Sequence, residues 1–380
     1  MMTPESEEQL AEALAGATGP LRVIGGGTRP VGKPVAGEAL STAAMRGVVL
    51  HEPGALTLVV RAGTPLAEVS AVLAAENQRL AFEPMDHRVL LGTAGAPTIG
   101  GVVAANVSGP RRIQAGACRD FLLGVRFVDG NGRILKSGGR VMKNVTGYDL
   151  VKLLAGSWGT LGVLSEVSFK VQAIPEAEAT VVRRGLSAAE GVAALSRALG
   201  SPFDVGGAAH APAGLLADEA LTLVRVEGME QSVRYRAGRL AEAGGEIVEA
   251  GESADLWRRI RDVRPFAGRA GAVWRVSVKP TDGPVLSERL TAAGLAHEAL
   301  FDWGGGLVWL LVAERGDAGA GTIREQLSGL GGHATLIRAP EEIRARVPVF
   351  QPRPARLAEI EAGIRARFDP RGILNPGLMG

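Results

Sequence analysis

Three glycine-dense segments are places where backbone rather than side chain would carry the chemistry. The first, Gly25-Gly26-Gly27-Thr28, directly follows the apolar run Leu21–Ile24. Successive N–H groups in such a turn make a nest for an anion, and a diphosphate is a natural occupant. The second is Thr98-Ile99-Gly100-Gly101, read as the start of a short helix capped by Thr98. Its first-turn N–H groups lack intrahelical partners and sit at the positive end of the helix. The third is Gly156-Ser157-Trp158-Gly159-Thr160-Leu161-Gly162-Val163, where glycines would let backbone meet a flat ligand. A plain turn remains an alternative for each; three together point to a nucleotide cofactor. Neither standard nucleotide motif fits. Pro30 stands where the third glycine of G-x-G-x-x-G would fall, and G-K-[ST] is absent.

Side-chain chemistry is sparser. Trp274-Arg275-Val276-Ser277-Val278-Lys279 alternates, so Arg275, Ser277 and Lys279 share one strand face. A guanidinium fork suits a carboxylate, although the same pattern serves the solvent face of an edge strand. Asp302-Trp303-Gly304-Gly305-Gly306 could present a carboxylate and an aromatic ring, or simply turn. The five histidines, His51, His87, His210, His297 and His333, are too scattered for a local metal motif. His87, near the glycines at 92–101, is a candidate base or a hydrogen-bond partner. The one cysteine, Cys118, can form neither an internal disulfide nor an iron–sulfur cluster and reads as packing.

The elements that must hold these groups are legible in outline. A helix is expected at Glu7–Ala15, strands at Leu21–Ile24 and Leu56–Arg61, and a helix from Thr64 (N-cap) and Pro65 to Glu76. Residues 82–97 read as loop, followed by a helix at Ile99–Asn106. Phe121–Val128 and Arg133–Ser137 flank Asp129-Gly130-Asn131-Gly132, a hairpin turn. Thr146–Asp149 has capping-box spacing before a helix at Tyr148–Ala155, and the alternation in 163–171 predicts a half-buried strand. Residues 178–340 twice follow the order β-α-β-β-α-β, as in ferredoxin-like folds. The tail from 347 contains a helix at Leu357–Phe368.

The length of 380 residues suggests two or three domains. The net charge of +2, without a long basic run, gives no reason to expect nucleic-acid binding. Met1–Leu14 lacks the pattern of a signal peptide, and no run of about 18 apolar residues suggests a membrane span. The expectation is a cytoplasmic protein, with attachment to the inner membrane through partners as an option. Glycine accounts for 53 residues, about twice the usual share.

Thr98–Gly101, Val141–Asp149 and Gly156–Val163 resemble the FAD-binding domain of the vanillyl-alcohol oxidase and p-cresol methylhydroxylase (PCMH) type. Ser108-Gly109-Pro110-Arg111-Arg112, Arg119-Asp120-Phe121 and Met142-Lys143-Asn144 resemble in particular the E subunits of bacterial glycolate oxidases. Phe368–Gly377 is similar to the closing motif of that family. The resemblance implies an α+β chain. A two-part FAD-binding domain would occupy 1–175 and an α+β cap or substrate domain, made of duplicated ferredoxin-like units, 176–345. A C-terminal segment, 346–380, would return to the flavin.

Residue by residue, the resemblance implies that Gly25, Gly26, Gly27 and Thr28 wrap the FAD diphosphate. Thr98, Gly100, Gly101, Asn106 and Gly109 would line flavin and diphosphate, with Gly116 beside the cofactor. Gly156, Gly159, Gly162 and Val163 would touch adenine or flavin, and Asn375 the flavin edge. No histidine lies in residues 22–33, so the FAD is expected to be non-covalent. The histidine motif of related catalytic subunits is absent, and Trp158 replaces an acidic residue of the wider family. The implied function is the FAD-binding subunit of a 2-hydroxy-acid oxidase or dehydrogenase, with a catalytic flavin subunit and an iron–sulfur subunit as partners. Arg275 is the candidate for a substrate carboxylate, and no catalytic residue or metal ligand is assigned. A non-catalytic FAD scaffold or electron relay, and a free-standing flavin reductase, are the alternative readings.

Overall fold

The computed structural model describes residues 1–141 and 147–380. Helix α1 (Glu7–Gly16) starts at Ser6, whose side chain accepts from Gln9 N, and buries Leu10 and Leu14. Strand β1 (Leu21–Ile24) pairs in parallel with β2 (Glu38–Ser41). Strands β3 (Val48–Glu52), β4 (Thr57–Arg61), β5 (Leu122–Val128), β6 (Ile134–Gly138) and β7 (Val163–Lys170) form a sheet in the order β3-β4-β7-β5-β6. Helices α2 (Leu66–Ala75) and α3 (Ile99–Ala104) contribute Val69, Leu73, Val102 and Val103 to one core with Leu58, Val60, Val167 and Phe169.

Several local expectations shift. β7 is not half-buried: Ser165 and Ser168 are buried along with Val167 and Phe169. It is the middle strand of its sheet, and Ser165 Oγ donates to Glu7 Oε1 of α1 at 2.5 Å. Pro65, not Thr64, is the N-cap of α2. Thr64 instead donates its hydroxyl to Arg61 O at 2.7 Å and accepts from Gly47 N at 2.9 Å. The segment 82–97 is not all loop, because Asp86 caps a short helix, His87–Leu91. The helix after residue 146 is Leu150–Leu154 and starts on Asp149, whose side chain accepts from Lys152 N. Thr146 and Met142-Lys143-Asn144 lie outside the described residues. Strands β2 and β3 are additions, too short and mixed to announce themselves by periodicity.

The elements expected between 178 and 340 are present. Strands β8 (Ala177–Arg184), β9 (Val205–Ala211), β10 (Leu221–Gly228) and β11 (Glu246–Glu249) alternate with helices α4 (Ala188–Leu199) and α5 (Glu230–Ala241). A helix outside the repeat, α6 (Ala250–Arg261), follows. Its buried Trp257 donates Nε1–H to Thr180 Oγ1 at 2.7 Å. Strands β12 (Ala272–Ser277), β13 (His297–Asp302), β14 (Leu307–Val312) and β15 (His333–Arg338) carry α7 (Asp282–Ala292) and α8 (Ala320–Leu327) between them. All eight strands join one antiparallel sheet, in the order β11-β8-β10-β9-β13-β14-β12-β15. The seam is narrow, with His210 of β9 opposite Phe301 of β13.

The two sheets are tied by buried charge. Arg225 on β10 donates to Glu83 Oε1 and Oε2 at 3.1 and 2.9 Å. Arg111 reaches Glu227 through Nε and Nη2, both at 2.8 Å, and Arg79 Nη1 reaches the same carboxylate at 2.7 Å. After α9 (Ala355–Phe368) the tail crosses back to the first sheet region. Leu21 N donates to Ile373 O at 2.7 Å and Asn375 N to Leu21 O at 3.0 Å. Asp369 holds this bend by accepting from Leu374 N at 2.7 Å.

Candidate functional site

Two neighbouring cavities lie between these layers. The first, of about 410 Å³, is lined by Gly25, Gly26, Gly27, Thr28, Thr98, Gly100, Gly101, Gly159, Gly162, Val163 and Asn375. The second, of about 850 Å³, is lined among others by Asn106, Gly156 and Arg275. Arg29, Lys33, Ala105 and Trp158 line both. The structure therefore brings to these cavities all but two of the residues that the resemblance assigned to cofactor or substrate. Gly109 and Gly116 line neither cavity. A Cβ on Gly109 would stand 2.2 Å from Glu83 O, so that glycine serves close packing. Gly116 ends a short helix with φ of 103°.

The glycine turn fits an anionic group. Among the described residues, the N–H groups of Gly25, Gly26, Gly27 and Thr28 have no protein acceptor. Four such donors around one cavity form the nest expected for a phosphate. The turn is held from behind. A Cβ on Gly26 would lie 1.7 Å from Ala96 O, and one on Gly25 would lie 2.2 Å from Thr98 Oγ1. Thr98 Oγ1 accepts from Gly101 N at 3.3 Å, which is the expected cap. Arg29 adds a cation: its Nη1 donates to Gly101 O at 2.9 Å. Burial lowers its pKa to about 10, so it stays charged at neutral pH.

Asn375 lines the first cavity, with its amide consumed by protein atoms. Oδ1 accepts from Val23 N at 2.7 Å, and Nδ2 donates to Trp158 O at 2.8 Å. Its role in the structure is to lock the tail, β1 and the third glycine segment together. Trp158 is held at φ of 54° and packs edge-on to Phe350, 5.5 Å between ring centroids.

One wall of the second cavity is a face of the eight-stranded sheet. Arg275 and Ser277 of β12, Trp309 of β14, and His333, Thr335 and Ile337 of β15 all line it. Strand alternation puts them there, and Lys279, beyond the end of β12, does not join them. Arg275 and Arg112 both lie against the Trp303 ring, 5.1 and 4.5 Å from its centroid. Burial, then Arg112, lowers the Arg275 pKa to about 10. Burial pushes Asp302 up to about 7, although its carboxylate accepts from Trp303 N at 2.7 Å.

His87 is less suited to act as a base. Its Nδ1 accepts from Arg29 Nε at 3.2 Å, and burial, then Arg29, holds its pKa well below the usual histidine range. The lone pair of the neutral ring is thus engaged. His333 on the cavity wall is also lowered, by burial and then by Arg275, and is neutral at pH 7. Cys118 is buried, and burial raises its thiol pKa, in keeping with packing. Sequence reasoning gave no role to Arg29, Arg112 or His333. Each lies outside the glycine motifs, and only the fold brings them to the cavities.

A family model described as an FAD binding domain matches residues 1–138. The glycolate oxidase subunit GlcE of Escherichia coli strain K12 is 36% identical over 374 residues, 98% of this chain and 95% of that one. The glycolate oxidase subunit GlcD of Bacillus subtilis strain 168 is 34% identical over 127 residues, 33% of this chain and 26% of that one. A solved structure of alkyldihydroxyacetonephosphate synthase has a TM-score of 0.68 at 16% identity, covering 98% of this chain and 76% of that chain, which speaks for the fold. Fold, glycine-lined cavity and family match define an FAD-dependent oxidoreductase subunit with a PCMH-type FAD-binding domain, and FAD is its cofactor. The chain belongs to the family of the glycolate oxidase subunit GlcE. No helix among the described residues is long and apolar enough to cross a membrane.

Proposed function

We propose that the chain is the FAD-carrying subunit of a glycolate-oxidase-type complex that oxidises a small 2-hydroxy acid. The observation that carries this reading is the junction of the two cavities, where a phosphate-suited glycine nest adjoins a space walled by Arg275. In this reading Gly25, Gly26, Gly27 and Thr28 hold the diphosphate with Arg29. Thr98, Gly100, Gly101, Asn106, Gly156, Gly159, Gly162 and Val163 line the rest of the cofactor. Gly109 and Gly116 support that wall from behind, and Asn375 positions Trp158 and β1. FAD, when bound, supplies a hydride acceptor. Arg275 holds the substrate carboxylate through its fork, and the layer of α9 and Phe350 limits water around it.

The domain reading follows the same lines. Residues 1–175 form the FAD-binding domain and 176–345 a cap of two ferredoxin-like units, consistent with the strand orders β11-β8-β10-β9 and β13-β14-β12-β15. Residues 346–380 close the site. The FAD is held without a covalent bond. Electrons pass to an iron–sulfur subunit, beside a catalytic flavin subunit, in a cytoplasmic complex that attaches to the inner membrane through its partners.

The engaged lone pair of His87 favours keeping a second reading, an FAD-bearing relay without its own oxidation site. One experiment separates the two. The purified chain should be yellow and release its flavin on acid precipitation. Anaerobic glycolate or lactate should then bleach the intact protein. A yellow protein that neither acid bleaches is the relay, and a colourless protein unable to take up FAD removes both readings.

A further inference from the structure

The second cavity carries more positive charge than its surroundings neutralise. Arg29 and Lys33 line both cavities beside the glycine turn and fall to the diphosphate. Of the other guanidiniums of the second cavity, Arg353 pairs with Glu361, Arg119 lies 3.7 Å from Asp120, and Arg365 stands on α9. Arg112 and Arg275 are the two that lie together against one indole, 4.5 and 5.1 Å from the Trp303 centroid. Trp303 is fixed there, donating Nε1–H to Gly109 O at 3.0 Å. Among the described residues neither guanidinium makes an ion pair or a hydrogen bond.

No carboxylate of the wall is free to compensate them. Glu361 faces the cavity but is engaged 3.0 Å from Arg353. Burial pushes Asp302 up to about 7, so at neutral pH it carries only part of a charge, and it accepts from Trp303 N. Desolvated like charges without a counter-ion are costly, and an anion reaching both guanidiniums relieves the cost. Each planar fork matches one carboxylate.

We propose that the second cavity binds a small dicarboxylate, with Arg112 and Arg275 as the partners of its two carboxylates. This rests on the reading that the diphosphate takes Arg29 and Lys33. It departs from the simplest form of the proposed function, in which one arginine meets a monocarboxylate.

The test compares malonate with acetate, glycolate and inorganic phosphate on the full-length FAD-loaded protein at constant ionic strength. Binding is followed by flavin absorbance and by thermal shift. Malonate is expected to bind at least tenfold tighter than either monocarboxylate and than phosphate. Arg112→Met and Arg275→Met should each erase that preference while FAD is retained. Arg112→Lys and Arg275→Lys, which keep the charge, should preserve the preference at lower affinity, and they guard against a folding defect. Equal binding of malonate and acetate would overturn the proposal. So would phosphate binding as tightly as malonate, or loss of FAD in the Met variants, which would assign these arginines to the cofactor. A protein that takes up no FAD would refute the flavin reading and overturn with it the assignment of Arg29 and Lys33 on which this proposal rests, an outcome told apart from loss of malonate preference in the FAD-loaded protein.

Discussion

The two halves of the eight-stranded sheet use arginine in opposite ways. Arg225 on β10 is 0% exposed, lies 4.5 Å from the Trp257 ring centroid and is gripped by Glu83. Burial opposes its charge, but Glu83 and Glu227 outweigh that and raise its pKa. Arg275 on β12 also lies against a tryptophan, yet has no carboxylate partner among the described residues, and its pKa falls. One arginine fastens the sheet to the first domain; the other faces a cavity. A buried arginine is thus not by itself a site. What distinguishes the two is whether the protein already supplies the counter-charge.

The sharpest way to break this comparison is Arg225→Met. It removes the cation shared by Glu83, Glu178 and Glu227 and leaves carboxylates buried beside a smaller positive charge. Breaking a buried pair from one side costs about 3–5 kcal/mol. Urea denaturation should show a loss of that size. A loss below about 1 kcal/mol would mean that Arg111 and Arg79 hold the network without it.

In sequence the two arginines look almost alike. Val224-Arg225-Val226-Glu227 and Trp274-Arg275-Val276-Ser277 are both alternating strands with one cation. The partner that separates them, Glu83, comes from a distant element, so local pattern could not tell bolt from site. The glycine segments were legible for the opposite reason. Their function resides in backbone N–H groups, and glycine itself records where the chain must approach something closely. Gly26 also shows how far that record goes, since the neighbour that forbids its Cβ is Ala96 O, a protein atom. The order of elements in 178–340 was readable from period and caps, whereas α6 showed only in the helix-like spacing of Arg258, Arg259 and Arg261, because the repeat leaves no place for it.

Asp302 gives the next largest effect. Its folded pKa is about 7, against an ordinary value of 3.8, with burial as the main cause. The folded protein therefore holds a proton that the unfolded chain releases between those values. The stabilisation is fully present below the unfolded pKa and is lost as pH rises towards 7. Asp302→Asn mimics the neutral acid and can still accept from Trp303 N. The variant should match the wild type near pH 4 and exceed it above pH 7 by roughly 2 kcal/mol or more. Parallel stability curves from pH 4 to 8 would show that Asp302 ionises freely when folded.

Asn375→Ala tests the seam between tail and glycine cavity. It leaves Val23 N and Trp158 O without their amide partners. The expected cost is about 1–3 kcal/mol, with weaker FAD retention. The flavin midpoint potential should stay close to that of the wild type, because the amide is spent on protein atoms. A large shift in potentiometric titration would mean that the amide leaves Val23 and Trp158 to reach the flavin.

Arg275→Met should have the smallest effect on stability, and that is its value. The substitution removes a desolvated cation without orphaning a carboxylate, and the methionine can still pack against Trp303. The cation–π attraction to the indole, which methionine does not supply, is worth about 2 kcal/mol for a desolvated cation. Relief of the desolvation penalty and of repulsion from Arg112 acts the other way. The net change in urea should lie within about 0.5 kcal/mol of zero, or favour the variant. Set beside Arg225→Met on the same sheet, the measurement is a direct contrast between a paired and an unpaired buried arginine. A loss above about 2 kcal/mol would show that Arg275 is also a structural bolt, and that the protein had not kept its charge in reserve for a ligand.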